Sequence, residues 1–152
     1  MTIESNNRSG ELVPSDEVTS LIQYSLGQLG LHADCEVSLT FVDEAEMTEL
    51  HIKWMDEPGP TDVLSFPMDE LRPGTPEDMT PAGLLGDIVV CPTVAERQAV
   101  TAGHETTNEN LLLTTHAILH LLGFDHAEPD EEKEMFGLQR EILESFYVAE
   151  RG

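Results

Sequence analysis

Cations are scarce in this sequence: 7 Lys and Arg stand against 30 Asp and Glu among 152 residues, a formal net charge of -23. A surface so acidic argues against polyanion binding through a broad basic face. It leaves open a local site built from a metal ion and a few cations. Cysteine is nearly absent as well. Cys35 and Cys91 sit in apolar segments without CxxC spacing, which argues against a zinc knuckle or redox motif and reads as two buried free thiols, with a disulfide as the lesser alternative. No stretch approaches the roughly 20 apolar residues of a membrane span, and MTIESNNRSG lacks a basic start followed by an apolar run. The expectation is a soluble, cytoplasmic protein. With 39% hydrophobic residues, no internal repeat and no linker, residues 1–152 read as one domain able to enclose a core.

What is present is clear periodicity. From Pro14 to Leu29, the positions Val18, Leu21, Ile22, Leu26 and Leu29 recur at helical spacing before Gly30. A short strand is expected at Thr2 to Ser5, with turn chemistry in NNRSG at Asn6 to Gly10. Glu36 to Phe41 alternates Val37, Leu39 and Phe41 with polar residues, the period of a half-buried strand. Asp43, with Glu46 three residues later, opens a helix that Glu57 to Pro60 (EPGP) ends. Val63 to Met68 and Asp87 to Cys91 read as strands. Between them Asp69 to Leu85, with Pro73, Pro76, Pro81, Gly74 and Gly83, reads as a mobile flap or a hairpin extension. Thr93 to Ala102, Asn108 to Leu122 and a segment from Asp130 through Phe146 read as helices, the second apolar enough to cross the core.

The chemistry lies in HAILHLLGFDH, which begins at His116. His116 and His120 stand at i and i+4, about 6 Å apart along a helix and about 40° apart around it, so both imidazoles can meet one ion. Gly123 permits a positive-φ turn that brings His126 back as a third ligand. Two histidines at this spacing are more often packed or capping residues. The third, together with the cost of unsatisfied imidazoles on an apolar helix, favours a metal. Three neutral imidazoles and one free position describe a catalytic zinc site. The spacing HxxxHxxGxxH is shared with metzincin proteases, but their general base, Glu, is replaced by Ala117. Asp125 is the nearest carboxylate in sequence. It reads equally as a water-activating or ligand-orienting group and as a turn residue.

With His116, Leu119, His120, Leu121, Gly123, Asp125 and His126 in place, the sequence resembles the YbeY family of bacterial endoribonucleases and rRNA maturation factors. PTDVLSFP at Pro60 to Pro67 and GDIVVC at Gly86 to Cys91 resemble two further segments of that family. The resemblance implies an α/β fold with a small mixed sheet flanked by helices, and one zinc ion on His116, His120 and His126. It implies cleavage of single-stranded RNA in maturation of the small-subunit rRNA 3′ end and in ribosome quality control. The ribosome or its proteins are then partners, and neither DNA nor a membrane is expected. Many members place Arg where Met55 stands here, so Lys53, Arg72 and Arg97 are the candidate RNA contacts. Two rival readings are a zinc-stabilised ribosome-assembly factor without catalysis and an atypical metallopeptidase. His104 and Glu105, ahead of the metal helix, read as an exposed helix start in preference to an outer shell of the metal site, and His51 as a satisfied core or groove residue in preference to a ligand.

Overall fold

The computed structural model describes residues 2–75 and 77–151; Met1, Pro76 and Gly152, included in the one-domain and loop readings above, lie outside them. The elements run β1 (Thr2–Asn7), α1 (Ser15–Gln28), β2 (Glu36–Phe41), α2 (Glu44–Met55), β3 (Val63–Pro67), β4 (Leu84–Val90), α3 (Pro92–Ala102), α4 (Thr106–Leu121) and α5 (Pro129–Arg151). Among the described residues the strands form one mixed sheet in the order β1-β2-β4-β3. β1–β2 and β2–β4 are parallel, whereas β3–β4 is antiparallel. A parallel neighbour requires a crossover, and α1 supplies it between β1 and β2. This is the α/β fold with a small mixed sheet expected from the resemblance.

The alternation in β2 places Val37, Leu39 and Phe41 in the main core, with Val18, Leu21, Ile22 and Leu26 of α1 and Ile118, Leu119 and Leu121 of α4. Burying each large aliphatic side chain contributes about 1.5–3 kcal/mol, so this cluster dominates folding. A second cluster joins Met47 of α2 to Leu64, Val89, Cys91 and Val94. α2 is capped at Asp43, whose side chain accepts the Glu46 N–H at 2.8 Å. Cys35 and Cys91 are free and buried.

Several boundaries differ from the sequence reading for local reasons. β1 extends through Asn7 because Asn6 and Asn7 pair with Thr40 and Phe41. β4 starts at Leu84, where Gly86, at φ +144°, allows an irregular register that alternation alone does not reveal. The proline-rich connection is a docked hairpin extension. Gly74 N–H donates to Leu29 C=O at 2.8 Å, Thr80 N–H to Gly30 C=O at 2.9 Å, and Leu84 N–H to Asp69 Oδ2 at 2.8 Å. These bonds satisfy backbone groups that a structureless loop would leave to water. No helix among the described residues is long and apolar enough to cross a membrane.

Candidate metal centre

α4 runs through the core, with Ala117, Ile118, Leu119 and Leu121 buried, while His116 and His120 remain half-exposed on its opposite side. α4 ends at Leu121, and Gly123, at φ +95°, turns the chain so that His126 returns to the same place. Asp125 Oδ1 accepts the His126 N–H at 2.8 Å and holds that return. One ring nitrogen from each of His116, His120 and His126 lies within 4.8 Å of the others. His116 Nε2 and His120 Nε2 are 3.1 Å apart. Tetrahedral coordination with bonds of about 2.0–2.1 Å puts donor nitrogens about 3.3 Å apart. The pair on α4 therefore matches a zinc-sized ion, and the third ligand sits on an exposed loop beside it.

The last helix contributes two contacts. Gln139 Oε1 lies 2.9 Å from His116 Nδ1, and the Phe136 ring stacks near His116 and His126, with centroids 5.7 and 5.9 Å away. Neither residue was singled out in the sequence, because no motif links α5 to the histidines. Helical amphipathicity places Met135, Ile142 and Phe146 in the core but does not report the flank that carries 136 and 139.

Burial pulls the His116 imidazole below its ordinary 6.5; the Gln139 hydrogen bond opposes this, the charge of His126 adds to it, and the charge of Asp62 opposes it. His120 is lowered by burial and by both other histidines, against Asp125 and the Phe124 backbone. With folded values depressed, the unfolded chain binds more protons below about 6.5. The stability these two rings contribute in the metal-free chain is thus fully present above 6.5 and is lost as pH falls through the folded values. Urea midpoints of metal-free protein should drop on acidification below that point, and the drop should shrink in His116→Gln and His120→Gln. Equal pH profiles for wild type and both variants would contradict the burial argument.

The three candidate cations go to different places. Arg72 is brought to the histidine loop: a Cβ on Gly123 would stand 2.7 Å from its Nη1. Arg72 lines a cavity there with Gly123, Phe124, Asp125, Glu131 and Glu134. Arg97 is held by Glu44 through bonds of 2.9 and 3.1 Å, and lines a separate cavity with Glu109. Lys53 is exposed on α2, its Nζ 5.1 Å from the Trp54 ring centroid, and Met55 is the exposed last residue of that helix. His51 Nδ1 lies 3.0 Å from Gly59 C=O, and His104 Nε2 3.4 Å from Glu109 Oε1, so both have partners outside the triad. Ala117, at the position of the metzincin general base, is 1% exposed in the core and has no group that could take a proton.

Comparison with known proteins covers the chain from end to end. Residues 3–147 match the family described as Endoribonuclease YbeY. An endoribonuclease YbeY of Clavibacter michiganensis is 65% identical over 152 residues, covering 100% of this chain and 99% of that protein. One from Leifsonia xyli is 59% identical over 146 residues, covering 96% of this chain and 95% of its own. A solution structure of a Thermotoga maritima protein, 30% identical, covers 98% of this chain and 91% of that one with a TM-score of 0.64. A fold of this topology, a helix-and-turn histidine triad and relatives matching end to end together mean that the chain belongs to the YbeY endoribonuclease family.

Proposed function

We propose that the chain is a zinc-dependent endoribonuclease that cuts single-stranded RNA, acting in the cytoplasm on rRNA at the small-subunit 3′ end and in ribosome quality control. The observation that carries this reading is the convergence of three imidazole nitrogens within 4.8 Å on the flank of one helix, in a chain whose relatives are named endoribonucleases. The donor set is that of a three-histidine zinc site with an open position. A divalent ion held there supplies Lewis acidity to a phosphodiester.

The chain's own groups do the rest. Arg72, placed over Gly123, offers a guanidinium to a phosphate entering beside the triad. Asp125 holds the His126 backbone, which makes it a ligand-orienting group first. Lys53 supplies a weaker, exposed contact, while Arg97 would have to leave Glu44 to join in. With so few cations, useful affinity comes from the ribosome or one of its proteins, and isolated RNA binds weakly. Residues 1–152 act as one catalytic domain in this reading.

A cleavage assay on a short single-stranded RNA, with metal-depleted and zinc-restored protein, tests it. Cleavage should require zinc, and generic peptides should not turn over. Removing Arg72 as Arg72→Ala should flatten the log-log salt dependence of RNA binding by about 0.7. Zinc-loaded protein that binds ribosomal particles but never cuts RNA would establish the non-catalytic assembly factor instead. Robust peptidase activity would sink the reaction class.

A further inference from the structure

We propose that Gln139 is the positioning residue of the histidine triad: its side-chain carbonyl fixes His116 in the tautomer whose Nε2 lone pair faces His120 and His126. The inference rests on the metal-binding reading above and names the group that would set its geometry.

Gln139 lies on α5 and is 8% exposed, so its amide is not free to reorient into solvent. Its Oε1 is 2.9 Å from His116 Nδ1. A carbonyl oxygen can only accept a hydrogen bond, so Nδ1 carries the proton and Nε2 is left as the unprotonated nitrogen. That nitrogen is the one 3.1 Å from His120 Nε2. A metal-bound histidine commonly donates its other ring N–H to a carboxylate, carbonyl or water, which fixes the ring and raises its basicity.

Phe136, one turn earlier, stacks beside the same imidazole at an interplanar angle of 17°. Gln139 and Phe136 therefore restrain His116 from the same helix, one by a directed bond and one by shape. On α4 itself His120 meets the ring edge-on, with centroids 4.6 Å apart, but it faces Nε2 and not Nδ1, while the neighbouring Thr115 Oγ1 bonds to Leu111 C=O. The opposite amide orientation would place an N–H against Nδ1, force the proton onto Nε2 and remove the lone pair. The two arrangements make opposite claims about one measurable proton.

The test compares the full-length wild type with Gln139→Leu and Gln139→Glu. Long-range proton–nitrogen NMR of histidine-labelled, metal-free protein reads the tautomer of each ring. Competition with a chromophoric chelator reads zinc affinity, and thermal unfolding reads stability. The wild-type His116 should be protonated at Nδ1. Gln139→Leu should lose that preference, leave the His126 tautomer unchanged and bind zinc about 10- to 100-fold more weakly. Gln139→Glu, which accepts the same bond, should restore both.

A wild-type His116 protonated at Nε2 overturns the proposal. So does a Leu variant that binds zinc as tightly as wild type, or a Glu variant that restores neither property. Should the Leu variant fail to fold, the wild-type tautomer and the Glu variant still decide. A wild-type chain with no zinc affinity overturns the metal reading itself, an outcome distinct from zinc binding that ignores position 139.

Discussion

His120→Ala and His126→Ala should each leave a folded chain that binds zinc about a hundred- to a thousandfold more weakly. Four-ligand structural zinc sites bind with about 10–16 kcal/mol, or roughly 2.5–4 kcal/mol per ligand, and each 1.4 kcal/mol is a tenfold change in affinity. Removing either ring leaves a site of two imidazoles and forfeits the contraction that would bring three nitrogens, now within 4.8 Å, onto one ion. The cost to folding is small for His126, which is exposed, and moderate for His120, whose ring is half-exposed. RNA cleavage should fall with zinc occupancy in both variants. Chelator competition gives the affinities and circular dichroism the fold. Full zinc retention in both variants would remove the proposed site, whatever else the protein binds.

Gly30→Ala should cost the fold about 3–4 kcal/mol, the sum of a residue forced into the left-handed region and an overpacked contact. Gly30 has φ +73°, and a Cβ there would overlap the carbonyl carbon of Gly74 in the docked loop. Because the clash is backbone against backbone, no side chain can swing away to relieve it. The melting temperature should drop by roughly 10 °C for a domain of this size. Gly27→Ala is the control three residues earlier. It lies in α1 with nothing within 4 Å of a built Cβ, so it should stabilise by about 0.5–1 kcal/mol. Similar melting points for the two variants would show that the loop does not rest on Gly30 as described.

Much of the scaffold was legible because its signals are periodic and local. The Val18–Leu26 stripe and Gly30 delimit α1, the alternation of Val37, Leu39 and Phe41 gives β2, and Asp43 with Glu46 starts α2. The triad was legible because two ligands share one helix face and the third follows a glycine turn. Contacts made across the chain left no such trace. Glu44 lies 53 residues from Arg97, so nothing in the sequence warned that this cation is engaged. The docking of the 69–83 segment uses Gly30, Gly74 and Thr80 backbone groups, which composition does not reveal. Gln139 stands 23 residues beyond His116 on a helix whose pattern reports only its core-facing stripe.

That last separation also orders events in time. Synthesis proceeds from the amino end, and all three histidines leave the exit tunnel before the stretch carrying Phe136 and Gln139. Until α5 docks on α4, His116 lacks its tautomer-setting bond and the stacked ring beside it. The ring on α4 is thus restrained by a helix that follows it in the chain. Docking of α5 and completion of the histidine site are therefore one event in folding, not two.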